Sequence, residues 1–154
     1  MPKIDIEAIP QSNATGYPEP FDKAVEGRWW RRLAPAAGLT QMGASHVVLK
    51  PGGWSSQRHW HEAEDEIVIM LSGEAVLIED EGETMMRPGD VAAWAAGVRN
   101  GHHMINRSDS DCVFIAIGVG DRSKGGGYSD IDMMFSEEHY YHKDGSLYPA
   151  KRLP

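Results

Sequence analysis

The segment Gly53-Trp54-Ser55-Ser56-Gln57-Arg58-His59-Trp60-His61-Glu62-Ala63-Glu64-Asp65-Glu66, closed by Gly73, is the most informative stretch of this chain. In a strand, residues two apart project from one face, so His59 and His61 offer two imidazoles to one point while Trp60 faces away. Glu66 follows a short acidic turn, from which the next strand would return its carboxylate to the same point. Two neutral imidazoles and a carboxylate make a nitrogen/oxygen donor set suited to a divalent transition metal. A third imidazole, His102, joins them if the hairpin around Asn100-Gly101 lays its strand beside the first pair. The same parity turns Ser55 and Gln57 inward and Arg58 outward, which makes Gln57 the first choice for a substrate-orienting amide. It also places Met104 and Asn106 on the face of His102, as further substrate-binding residues.

Around this stretch, residues 39–120 are short apolar runs broken by turn signals about every ten residues, the pattern of an all-β sandwich or barrel. Strands are expected near 40–50, 56–61, 66–72, 74–79, 83–87, 91–95, 102–107 and 112–119. The turns between them are Pro51-Gly52-Gly53, Ser72-Gly73-Glu74, Glu81-Gly82, Pro88-Gly89-Asp90 and Asn100-Gly101. Alternation is weak in Glu66-Ile67-Val68-Ile69-Met70-Leu71, so both faces of that strand are expected to be covered, one by the core and one by a terminal arm or a second copy of the chain.

The flanks read differently. Residues 1–38 form an N-terminal arm with room for one short strand, because Gly16-Tyr17-Pro18-Glu19-Pro20 enforces extended or turn backbone. Trp29-Trp30-Arg31-Arg32 reads as ordinary packing, since adjacent aromatics on a strand face opposite ways. Residues 121–154 form a tail that begins with a flexible joint at Gly125-Gly126-Gly127. Its Ile131, Met133, Met134, Phe135, Tyr140 and Tyr141 are apolar surface worth burying, on the barrel or on a partner.

Composition narrows the partners. The chain has 154 residues, 41% hydrophobic and 25% charged, which suits one globular domain. A net charge of −8 opposes nucleic acid and anionic membrane surfaces. No apolar run approaches the roughly 18 residues of a membrane span, and the first residues lack the basic and apolar regions of an export signal. Cys112 is the only cysteine, which excludes an internal disulfide and suits a reducing, cytoplasmic setting. Met104, Met70 and Trp94 read as core or pocket wall, and Cys112 as a small packed hydrophobe. Of the remaining histidines, His103 should point away from His102 to the exterior or an interface, and His46 should be a hydrogen-bonded packing residue. His139 and His142 belong either to a lid over the barrel mouth or to a solvated tail.

The spacing of Gly53, His59, His61, Glu66 and Gly73 resembles the first motif of the cupin superfamily. Gly89, Gly97, His102 and Asn106 follow its second motif in order, with Ala95 in place of a proline and a longer step from Gly97 to His102. The resemblance covers residues 40 to 120 and implies a jelly-roll β-barrel, a double-stranded β-helix, carrying the two arms. It implies one divalent metal, Fe, Mn, Ni or Zn, held by His59, His61, Glu66 and His102.

Function then falls into two classes. A metalloenzyme acting on a small oxygenated metabolite would use the metal as Lewis acid or dioxygen site: a sugar or sugar-phosphate isomerase, a dioxygenase, or a decarboxylase or lyase. A phosphorylated substrate would also need inward cations, for which Arg58, Arg87, Arg99 and Lys50 are candidates. The alternative is a non-catalytic sensor or binding module with a metal-anchored ligand. No Ser or Cys lies in a nucleophile setting such as Gly-any-Ser-any-Gly. A homodimer is expected, because the doubly apolar strand needs cover.

Overall fold

A computed structural model describes residues 3–151; the ends of the expected arm and tail, residues 1–2 and 152–154, lie outside it. The chain is almost entirely antiparallel β, as its turn chemistry requires. Strands β1 (Arg28–Arg32), β2 (Gly43–Leu49), β4 (Glu64–Ser72), β7 (Val91–Trp94) and β9 (Cys112–Gly120) form one sheet in the order β1-β2-β9-β4-β7. A three-stranded sheet orders β6 (Gly82–Met86), β5 (Ala75–Glu79) and β8 (His103–Ile105). A four-stranded sheet orders β12 (Tyr140–Tyr141), β11 (Met134–Phe135), β10 (Gly126–Tyr128) and β3 (His59–His61). Single antiparallel bridges, His59 to His102 and Trp54 to Ile105, join these two smaller sheets into one surface opposite the first. The result is a jelly roll. Among the described residues the only helical pieces are Leu33–Ala36 and two short 3-10 turns, and no helix there is long and apolar enough to cross a membrane.

Period-two alternation explains the core. On β4, Val68 and Met70 point inward beside Glu66 while Asp65 and Leu71 are exposed. With Val47, Leu49, Leu77, Met86, Met104 and Phe114 they fill the space between the facing sheets. Gly73, the closing glycine of the first motif, adopts φ 68°, and a Cβ there would overlap the Asp111 carbonyl oxygen. The position therefore admits only glycine.

The flanks add their own β structure. In the arm, β1 extends the large sheet at its edge, pairing Trp29 with Val48 and Arg31 with His46. The glycine run is not a flexible joint. Gly126 and Gly127 lie in β10, buried, paired with His61 and Trp60 of β3. A Cβ on Gly126 would strike the Trp60 carbonyl oxygen, so the glycines are there for close approach of two backbones. Tyr17 and Val25 of the arm meet Tyr128 and Met133 of the tail in a second, separate apolar cluster. Arg58, the outward neighbour of His59, ties the tail down with two hydrogen bonds to Asp130, at 2.9 and 2.7 Å, and one to Asp80 at 2.6 Å.

Candidate metal centre

β3 presents His59 and His61 on one face, their ring centroids 4.9 Å apart, and β4 returns Glu66 opposite them. One donor atom each from His59, His61 and Glu66 lies within 4.8 Å of the others. His102, just before β8, joins through its bridge to His59. All three imidazoles turn Nε2 toward one oxygen, Glu66 Oε2, at 3.0 Å from His102, 3.3 Å from His61 and 3.9 Å from His59. Each Nδ1 meets an acceptor behind it. His59 Nδ1 lies 3.1 Å from the Gln57 carbonyl and 3.1 Å from Ser56 Oγ, and His61 Nδ1 lies 3.3 Å from Glu64 Oε2. His102 Nδ1 faces the Asn100 carbonyl at 3.4 Å. A proton on Nδ1, donated to the acceptor behind it, would leave Nε2 free, which is the tautomer a bound ion on the Glu66 side requires. Trp94 lies flat on His102, 3.7 Å between centroids and 7° between planes, its own N–H donated to Glu79 at 2.7 Å.

Electrostatics agree with a donor role. Burial drives the His59 imidazolium down to about 3, so that ring is neutral at any physiological pH. Burial alone would raise the Glu66 carboxyl, but hydrogen bonds from His102 and His61 outweigh it and hold it far below its ordinary range. For His61, burial is outweighed by the Glu66 hydrogen bond, and the group lies above its ordinary value. His59 and Glu66 are thus in the forms that bind a metal, His61 would release its proton to do so, and the donor set fits a divalent transition ion.

The cluster opens on a cavity of about 780 Å³ lined also by the termini, Tyr17 and Arg28 from the arm and Tyr128, Phe135 and Tyr140 from the tail, with Phe135 5.4 Å from His61 and Tyr128 6.1 Å from His59 between ring centroids. Tyr17 packs against Tyr128 and Tyr140 with centroids 5.7 and 5.4 Å away. Burial raises the hydroxyls of Tyr17 and Tyr128, and that of Tyr140 to about 12. They stay protonated and can donate hydrogen bonds to a ligand.

Other expected site residues lie elsewhere. Met104 lines the cavity. Gln57 does not; its amide donates to the Phe21 carbonyl at 2.9 Å, because the strand begins only at His59 and parity does not extend back to it. Asn106 is fully buried but lies past the end of β8, donating to the Leu49 and Ser110 carbonyls at 2.8 and 2.7 Å and so holding a loop. His103 is not exterior: it is 5% exposed, edge-on to Trp54 and 3.0 Å from the Ser56 carbonyl. His46 Nδ1 is buried without a hydrogen-bond partner among the described residues. His142 is bound to Asp132 at 2.9 Å, and neither it nor His139 lines the cavity. Arg58, Arg87, Arg99 and Lys50 are all paired with carboxylates outside the cavity. Two residues escaped the sequence reading although parity pointed to them: Glu64, two positions before Glu66 on β4, and Arg28, two before Trp30 on β1.

The fold and the His/Glu cluster define a cupin, and the chain belongs to the cupin superfamily. The Cupin domain family matches residues 45–118. Over nearly its whole length the chain is similar to a sugar phosphate isomerase of the cupin superfamily from Silicibacter pomeroyi DSS-3. The two share 39% identity over 99% of this chain and 100% of that one, with a TM-score of 0.91. A putative sugar phosphate isomerase from Acidithiobacillus ferrooxidans shares the fold at 24% identity, 81% of each chain and TM-score 0.69. So does a polyketide cyclase from Streptomyces resistomycificus, at 19% identity, 77% of this chain, 79% of that one and TM-score 0.63. Comparison with curated proteins gave no match.

Proposed function

We propose that this chain is a metal-dependent isomerase of small sugars or sugar phosphates, with His59, His61, Glu66 and His102 holding one divalent transition ion. The observation that carries the reading is the convergence of three Nε2 atoms on Glu66 Oε2 inside a cavity large enough for a small metabolite. The Silicibacter pomeroyi relative supports isomerisation over oxidative cleavage, because its similarity extends through both arms that wall the cavity. A bound ion would supply a Lewis acid that polarises a substrate carbonyl and adjacent hydroxyl. The chain's own residues do the rest. Glu64, Ser56 and the Gln57 and Asn100 carbonyls hold the imidazoles in their ligating tautomers, and Trp94 fixes the plane of His102. The neutral phenols of Tyr17, Tyr128 and Tyr140 exclude bulk water and offer donors to substrate oxygens.

The test is to equilibrate purified protein with Mn, Fe, Ni or Zn, remove the excess, measure bound metal, and follow aldose–ketose interconversion of simple sugars and their phosphates by NMR. One metal per chain with turnover of at least one of them supports the proposal. Metal uptake with tight sugar binding and no turnover would replace it with the non-catalytic binding module.

A further inference from the structure

The geometry points to a phosphate subsite in the part of the cavity wall formed by β1, built on Arg28 with Arg32 beyond it. The inference rests on the isomerase reading and names the substrate as a phosphate monoester. Residues 28, 30 and 32 share one face of β1 by parity, and all three line the cavity, so the arm strand presents Arg-any-Trp-any-Arg inward. Arg32 lies over the Trp30 ring, 4.9 Å from its centroid.

Arg28 is the deeper of the two, and its hydrogen bonds are incomplete. Its Nη1 donates to the Ser55 carbonyl at 2.8 Å, while Nε is buried with no partner among the described residues. Arg58 shows what that edge of a guanidinium does when satisfied: its Nε and Nη2 grip both oxygens of Asp130, at 2.9 and 2.7 Å. Arg28 itself lines the cavity, and no carboxylate of the described residues is paired with it. A guanidinium at a cavity wall with no counter-charge is satisfied by an oxyanion of a ligand through charge-assisted bonds. Arginine suits this role better than lysine, because its planar fork matches a phosphate face.

The surroundings fit an anion of this size. The remaining arginine that lines the cavity, Arg122, is bound to Glu64 at 3.2 Å beside the metal cluster, so it is neutralised there. The charge of Arg28 reaches the Tyr17 and Tyr140 hydroxyls, where it opposes the effect of burial, so protonated phenols stand next to the cation. Ser55, whose carbonyl holds Arg28, adjoins Ser56, whose hydroxyl contacts His59. A substrate with its phosphate on Arg28 would therefore extend its carbonyl end toward the donor cluster.

The test measures the binding of inorganic phosphate, fructose 6-phosphate and fructose by calorimetry, with metal content read on the same samples. The proteins compared are wild type, Arg28→Gln, Arg28→Lys and Arg32→Gln. Arg28→Gln should weaken both phosphates about tenfold or more, as expected for loss of a charged hydrogen-bond pair, and leave fructose and metal content unchanged. Arg28→Lys, the variant to read should Arg28→Gln fail to fold, should retain only part of the phosphate affinity; Arg32→Gln should cost less than either. Phosphate binding equal in wild type and Arg28→Gln, or absent from wild type, overturns the subsite even if metal binds normally. Gluconate binding as tightly as fructose 6-phosphate overturns the choice of phosphate over carboxylate. Absence of metal with phosphate binding intact would sink the isomerase reading alone.

Discussion

The two walls of the cavity are built by different means. In the donor wall Glu66 stands in the long β4–β9 ladder over an aliphatic core, whereas His59 and His61 stand on the short β3, laddered to β10 of the tail, and His102 is bridged to His59. The other wall adjoins it and is made of chain termini: Tyr17 and Arg28 from one, Tyr128, Phe135 and Tyr140 from the other, with the Phe135 ring 5.4 Å from that of His61, fastened by an aromatic cluster and the Arg58–Asp130 pair. The Cupin domain match ends at residue 118, whereas the Silicibacter pomeroyi relative aligns through both arms. The four donor residues thus lie inside the part of the chain that the Cupin domain family matches, and the aromatic residues of the termini lie outside it.

The sharpest way to separate the walls is to damage one and read the other. Glu66→Gln, which removes the anionic oxygen on which three imidazoles converge, should lower metal affinity by more than about 100-fold while the aromatic cluster stays intact. Near-ultraviolet circular dichroism together with metal titration would show both. Met133→Ala makes the converse cut. Met133 is fully buried in the tail cluster, so the change should cost about 2–5 kcal/mol in urea unfolding and raise proteolysis of the tail, with metal uptake retained. Loss of metal in this variant would mean the walls are not independent.

Subtler changes refine the boundary. Glu64→Gln keeps a group behind His61 Nδ1 but weakens it as an acceptor, and should reduce metal affinity about tenfold. Breaking the Arg58–Asp130 latch with Arg58→Gln should cost about 1 kcal/mol after allowance for solvent screening, measured at pH 6. That loss should be pH-dependent. The hydrogen bonds from Arg58 hold the Asp130 carboxyl below its ordinary value, so its contribution is complete above about pH 4 and disappears as pH falls through the lowered value. Urea melts at pH 6 and pH 3 should therefore show wild type and variant converging at the lower pH.

How much of this was legible in the sequence follows the same division. The strands of residues 39–120 and the His/Glu cluster were readable because parity and glycine-marked turns are local signals, and here the local signals agree with the ladders that form. Parity failed where regular strand ended. It misplaced Gln57, which precedes β3, and Asn106, which follows β8, because an amide on irregular backbone is recruited by the nearest carbonyls. His103 shows a different limit: with Trp54 set edge-on against its ring, the face away from the cluster is still buried. The glycine run misled for a third reason. Glycine permits flexibility and permits close approach, and only the position of Trp60 across the ladder decides between them. Arg28-Trp29-Trp30-Arg31-Arg32 carried its inward face in plain alternation, but that face acquires meaning only when β1 joins the edge of the large sheet.

The central claim is most directly tested by anomalous diffraction from crystals of the metal-loaded protein, with data collected at the absorption edge of the ion. A single peak bonded to Nε2 of His59, His61 and His102 and to an oxygen of Glu66 is the predicted result. A peak elsewhere, or these four side chains joined only to one another in crystals grown with excess metal, would contradict it.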